Sequence, residues 1–164
     1  MIRIAEWADL PRIFEVYAAA RKIMADSGNP TQWSDFYPPH DMLRADIPLQ
    51  QLYVVERDSV ICAAFALVFG EDPSYGYIEN GAWRRSDAYA AIHRVGSNGT
   101  QRGVFDEVLA FCRARHPYLR IDTHADNRIM QHLVTKNGFL LSGTVYMCDD
   151  GTPRFAYEWY EGIR

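Results

Sequence analysis

The chain has only three cysteines in 164 residues, Cys62, Cys112 and Cys148. Their number is odd, each lies in an apolar run, and none has zinc-ligand spacing, so neither a disulfide framework nor a structural metal site is expected. They read as buried free thiols in a reducing compartment. Long apolar runs are missing too: the longest, Val60 to Phe69, is too short for a helix that crosses a bilayer. The N-terminus meets charge at Arg3 without an apolar leader core, so a cytoplasmic location is the expectation and no membrane partner is. Clustered positive charge is absent: the formal net charge is -4 and the basic residues are scattered, which argues against a nucleic-acid surface. No Ser/Gly/Pro linker or low-complexity tract divides the chain, and its length suits one domain spanning residues 1–164. A P-loop Gly-Lys-Ser/Thr and a Gly-x-Gly-x-x-Gly fingerprint are both lacking, which sets aside a general nucleotide-binding protein.

What is present is a clear alternation of elements. Ile2 to Ala5 reads as a short strand. Asp9-Leu10-Pro11 opens a helix whose stripe of Ile13, Val16, Tyr17, Ala20, Ile23 and Met24 runs to Ser27-Gly28-Asn29-Pro30. An aromatic loop follows, then a second short helix from His40 to Gln50. Leu52 to Arg57 and Val60 to Phe69 form a hairpin about Asp58-Ser59, the second arm apolar enough to be covered on both faces. After a polar stretch come a strand at Ala88 to Val95, a helix at Gly103 to Arg115, a strand at Tyr118 to Thr123 and a helix at Asp126 to Asn137. Phe139 to Cys148 and Arg154 to Tyr160 close the chain as a hairpin. The order predicts an α/β (α+β) domain around one mixed sheet.

Ser97-Asn98-Gly99-Thr100-Gln101-Arg102-Gly103-Val104 joins a strand to a helix through small residues. Unpaired N–H groups of a first helical turn, together with the helix dipole, can hold a phosphate there without a basic side chain. A tight bend alone also explains such glycines.

The element order with this loop resembles the GCN5-related N-acetyltransferase superfamily. The family's loop pattern falls on Thr100 to Phe105, with Gly103 matching and Phe105 replacing a small residue. A second family feature, Asn followed by a helix and Gly-Phe, falls on Asn127 and Gly138-Phe139. The likeness covers nearly the whole chain, and the phrases around His93, Asp122 and Arg154 look like a bacterial branch without an assigned substrate. It implies a mostly antiparallel sheet of about seven strands flanked by about four helices. It implies acetyl-CoA as acyl donor, held by Val95, Gln101, Arg102, Gly103, Val104 and Asn127. It implies direct transfer, in a ternary complex, to a primary amine of a small molecule or peptide, by a monomer or homodimer. The tyrosine that commonly serves as acid for the leaving thiolate is Val134 here.

Acyl transfer needs a neutral amine, a route for its proton and a polarised thioester carbonyl; a thiol leaves readily because its pKa lies near 8.5. His93 and His124, each near a strand end, are the candidate bases, His93 ranked first because period two puts it on one face with Val95 while Asp122 shares a face with His124. A hydrogen-bonded core histidine is the plainer reading of either. Tyr146 is a further candidate acid. Asp122, His124, Asp126 and His132 suggest a metal cluster, but capping explains Asp126 and His132 has no partner one turn away, so no metal is expected. Trp33, Tyr37, Tyr77 and Trp83, with Glu71, Asp72 and Glu79, suit a cationic or aromatic amine, although packing and solvation explain them as well. The rival function is a CoA-binding sensor or interaction module that keeps the fold with weakened catalysis.

Overall fold

The computed structural model describes residues 1–163. Eleven regular elements follow in chain order. They are β1 (Ile2–Ile4), α1 (Leu10–Asp26), α2 (His40–Asp46), β2 (Leu52–Arg57), β3 (Val60–Phe69), β4 (Ala90–Ser97), α3 (Val104–Arg113), β5 (Tyr118–Thr123), α4 (Arg128–Lys136), β6 (Leu140–Tyr146) and β7 (Pro153–Tyr160). The expected elements are all present, with ends shifted by a few residues where frayed turns replace regular geometry. The expected second helix, for example, stops at Asp46 and continues as turns to Gln50.

The seven strands form one sheet in the order β1-β2-β3-β4-β5-β7-β6. Every neighbouring pair is antiparallel except β4 and β5, which are joined by α3 as a parallel crossover. Asp58 and Ser59 turn the β2–β3 hairpin with φ of 49° and 62°, the left-handed pair that matches strand twist in a two-residue loop. One face of the sheet, carrying Phe65, Leu67, Ile92 and Ile121, packs on Val108 and Leu109 of α3 and on Val134 of α4. The other face, carrying Leu52, Val54 and Ala64, packs on Ile13, Val16 and Tyr17 of α1 and on Leu43 of α2. The loop between β3 and β4 covers β5 and β7 on that same face, with Tyr75 and Tyr89 buried against Tyr118 and Ala156.

Two irregularities of β4 decide where a site can form. Ala66 pairs with His93 and Ala64 with Gly96, so two residues, Arg94 and Val95, oppose the single Phe65. This bulge puts Arg94 at φ 54° and adds a residue to the strand. Just before it, β4 and β5 part: their pairing ends at Ile92 opposite Ile121. From His93 onward β4 pairs with no strand on its β5 side among the described residues.

Cys62 and Cys112 are buried free thiols, and burial pushes Cys112 up to about 12. Cys148 departs from expectation and is exposed, because β6 ends at Tyr146 and the residues after it form the turn into β7.

Candidate functional site

A cavity of about 630 Å³ fills the gap between β4 and β5. Its floor is β4 from Ile92 to Ser97 together with Ile121 and Asp122 of β5. Its sides are the last turns of α1, the first turns of α3 and α4, and the loop from Ser27 to Tyr37. Met147, Asp149 and Asp150 of the β6–β7 turn close one end. Ile23 and Met24 extend the apolar stripe of α1 past its buried part and line this space instead.

The bulge overturns the expected alternation of His93 with Val95. Ile92 and Val95 both pack toward α3 and α4, while the extra residue sends His93 and Gly96 to the opposite face. At Gly96 a Cβ would stand 2.9 Å from Tyr17 Cδ1, so glycine permits α1 to lie close against the strand. Tyr17 donates its phenolic proton to the Arg94 carbonyl oxygen at 2.9 Å, and Arg94 reaches Asp46 of α2 at 2.6 Å. Both contacts hold the bulge from the α1 and α2 side.

His93 lines the cavity with a fifth of its side chain exposed. Its Nε2–H points at Asp72 Oδ2 at 2.7 Å, and its Nδ1 stands 3.9 Å from Asp122 Oδ2. Asp72 is fixed in turn: its backbone N–H donates to the Tyr89 hydroxyl at 2.7 Å and its Oδ1 accepts from Ser74 N–H at 2.8 Å. Asp122 Oδ2 accepts the Tyr75 hydroxyl proton at 2.7 Å. Burial alone would raise the Asp72 carboxyl, but the His93 hydrogen bond and charge outweigh it and hold it below the ordinary value of 3.8. Burial dominates at Asp122 and raises it, against the lowering pull of His93, Tyr75 and Arg154. A carboxylate only accepts, so the proton of the His93–Asp72 contact belongs to Nε2. In the neutral imidazole the lone pair is then on Nδ1, toward the cavity.

The opposite wall offers amides. Gly103 adopts φ 72° before α3, and a Cβ there would meet nothing within 4 Å, so its requirement is conformational rather than steric. Among the described residues, the backbone N–H groups of residues 101–106 donate to no protein acceptor. Val104 lines the cavity beside Phe105, whose ring turns into the core at 8% exposure. The side chain that departs from the family loop therefore turns away from the outward amides, while its backbone N–H remains one of them. Gln101 and Arg102 are exposed and contribute backbone to this corner, outside the cavity lining.

Asn127 caps α4 through Oδ1, which accepts from Met130 N–H at 3.0 Å. Its Nδ2 donates to Gln32 Oε1 at 2.9 Å, and the same oxygen accepts from Asn29 Nδ2 at 2.9 Å. Asn29 is 3% exposed, lines the cavity and leaves its Oδ1 without a partner. Gln32 thus ties the loop after α1 to the start of α4.

The remaining expected residues lie elsewhere. His124 sits in the turn after β5, outside the cavity lining, where Nδ1 accepts from Asp126 N–H at 3.0 Å. Asp122 faces His93 rather than His124. Tyr146 is exposed on edge strand β6 and donates to Glu79 Oε2 at 2.5 Å, while Tyr77 donates to Glu79 Oε1 at 2.9 Å. These three form a surface cluster joined by the Glu79–Thr144 bridge. Trp83 packs under the β3–β4 loop, its indole N–H donating to the Tyr75 carbonyl and its ring 3.9 Å from the Arg120 guanidinium. Trp33 does line the cavity, against Tyr17 and Tyr37. Val134 is fully buried in the core. Among the described residues, no group of three His, Cys, Asp or Glu side chains is arranged to hold a metal ion.

The geometry has close counterparts among solved structures. An acetyltransferase of the GNAT family from Streptococcus agalactiae superposes with a TM-score of 0.89 at 28% identity, covering 98% of this chain and 95% of that one. The chain belongs to the GCN5-related N-acetyltransferase superfamily. A GNAT-family acetyltransferase from Listeria monocytogenes shares the fold at a TM-score of 0.72 and 18% identity, covering 98% of this chain and 94% of that one. A protein from Salmonella typhimurium solved with its cofactor acetyl-CoA shares it at 0.59 and 16%, over 98% and 92% of the two chains. No protein-family model matches the sequence, and a search of curated proteins found no match. For a GNAT chain, the parted strands and the free amides of α3 are the features to weigh against acetyl-CoA. Unpaired N–H groups at a helix start, an unpartnered strand edge and the orphan Asn29 oxygen are polar partners that such a ligand can use.

Proposed function

We propose that this protein moves an acetyl group from acetyl-CoA to the primary amine of a small molecule or peptide, by direct transfer with both substrates bound. The observation that carries the reading is the cavity at the parting of β4 and β5, with free amides of α3 on one side and the His93–Asp72 pair on the other. Acetyl-CoA would supply an activated acyl group on a thiol that leaves without strong acid assistance. The amides of residues 101–106 bind phosphate oxygens, and the free edge of β4 offers hydrogen bonds to an extended ligand arm. Val95, at the bulge, lies where a thioester carbonyl is polarised by backbone N–H.

His93 Nδ1 takes the amine proton. Asp72 holds the ring by Nε2 and so fixes which nitrogen is basic. Asp72 is a positioning residue in this scheme, and holding both reactants in one cavity supplies most of the rate.

The test is thermal stability with acetyl-CoA, CoA and ATP in parallel, then thiol release against an amine panel. A selective shift with the two CoA compounds and amine-dependent thiol release are expected. Stabilisation without release from any amine would favour a CoA-binding sensor of the same fold. No shift with either CoA compound would overturn the reading.

A further inference from the structure

Three arginines with little exposure surround this part of the fold. Arg94 forms a close pair with Asp46 through Nη2, while its Nε has no partner among the described residues. Arg120 is stacked between the Trp83 and Tyr89 rings, 3.9 Å from each. Arg154 is different. It is 6% exposed and lines the cavity, and among the described residues its nearest carboxylate oxygen is Asp122 Oδ1, 3.9 Å from Nε, with the charge of Asp150 acting from farther off. Its other partners are neutral: Nη1 donates to Thr152 Oγ1 at 2.9 Å and to the Pro153 carbonyl at 3.1 Å, and Nη2 to the Gln32 carbonyl at 3.1 Å. Nε–H and one Nη2 proton have no acceptor among the described residues. A guanidinium whose nearest carboxylate oxygen stands 3.9 Å away has room for a closer anion, and its rigid fork matches a carboxylate.

Asp122 places this fork relative to the base. One of its oxygens faces Arg154 Nε at 3.9 Å and the other faces His93 Nδ1 at 3.9 Å. The two groups are therefore separated by at most one carboxylate and two such gaps. A short aminocarboxylate, with a hydrogen bond of about 2.9 Å at each end, spans that distance.

We infer that the acceptor is a small amino acid-type molecule, whose carboxylate is held by Arg154 while its amine approaches Asp122 Oδ2 and His93 Nδ1 together from the cavity side. This rests on the acetyl-transfer reading. The acceptor ammonium first loses one proton to solvent. Its second transferable proton passes to His93 Nδ1 as the nitrogen bonds to the acetyl carbon and the carbon–sulfur bond breaks, and the thiolate leaves to be protonated by solvent. Asp122 attracts the incoming ammonium, and the aromatic rings of Trp33 and Tyr37 line the space beside it.

The experiment measures kcat/KM for a panel of α- and β-amino acids, each against its own carboxamide and its decarboxylated amine, with parent, Arg154→Gln and Arg154→Lys. The parent should prefer the acids by about ten- to hundredfold, the worth of a charge-assisted hydrogen-bonded pair. Arg154→Gln should abolish that preference, with the rates on the acids falling further than those on the carboxamides, and Arg154→Lys should restore part of it. A merely structural role for Arg154 predicts that acids and amides fall together, which would overturn the inference. A parent that acetylates amides or plain amines as well as the acids would overturn it too, leaving acetyl transfer intact. If Arg154→Gln does not fold, the parent's ratio of acid to amide decides alone. If acetyl-CoA gives no thermal shift, the acetyl-transfer reading fails and the inference with it.

Discussion

Tyr17 of α1 donates its phenolic proton to the carbonyl oxygen of Arg94, 2.9 Å away, and Arg94 is the one residue of β4 with a positive φ. A side chain from the first helix therefore supports the backbone distortion on which the cavity depends. Burial raises the Tyr17 phenol far above its ordinary value, so it remains a donor at every working pH. Tyr17→Phe should cost about 1–3 kcal/mol, because it leaves a carbonyl without its partner. Denaturant midpoints measure the loss. A loss under about 0.3 kcal/mol would mean that the bulge stands without this bond.

Gly103→Ala and Gly103→Glu separate conformation from charge. Open space surrounds the missing Cβ, so alanine is expected to cost only the strain of φ 72°, about 1 kcal/mol. Glutamate adds an anion beside the free amides and should abolish stabilisation by acetyl-CoA. An undiminished thermal shift for Gly103→Glu would remove the phosphates from this loop.

His93→Gln is expected to lower kcat/KM by about a hundredfold or more. Asp72→Asn should have a smaller effect, about tenfold, since the imidazole loses the carboxylate that holds it. A folded His93→Gln protein with an unchanged rate would make His93 a packing residue.

The same pair predicts an acid limb in stability. The Asp72 carboxyl is held below 3.8 in the folded chain, so its contribution is complete above that value and disappears as pH falls through the lower folded one. Asp72→Asn should therefore lose most relative to the parent at neutral pH, and the difference should narrow below pH 3.8. Thermal midpoints from pH 7 to pH 2 test the sign; a difference that widened in acid would contradict the assignment.

Val134→Tyr asks whether an acid is missing. Val134 is fully buried, so tyrosine overpacks the core by about 1–3 kcal/mol. Turnover should stay within about tenfold of the parent. A gain in kcat of a hundredfold would show that protonation of the leaving thiolate limits the rate.

The elements were legible in the sequence because their periodicities are strong: the α1 stripe, the apolar β3 and the Asn127 and Gly138 punctuation each state a local preference. Val95, Val104 and Asn127 entered through the family resemblance, and His93 and Trp33 through their residue types and positions; all five line the cavity. Strict alternation gave the wrong face for His93 relative to Val95, because a bulge leaves no mark on a pattern of apolar residues. The partners of His93 were hidden for a different reason. Asp72 arrives from a polar loop 21 positions earlier and Tyr75 from the turn beside it, and such long-range meetings have no periodic signature. Arg154 looked like one strand residue among many until its neutral partners were visible.

Only three rungs join β4 to β5, at Ala90, Ala91 and Ile92. The sheet is thus two panels, β1 to β4 and β5 to β7, sewn by a short parallel seam. A ligand in the gap beyond Ile92 acts as a further set of stitches, so a molecule that touches both panels should slow amide hydrogen exchange along the seam as well as at its own contacts. The cavity's contents are in this sense part of the sheet's construction.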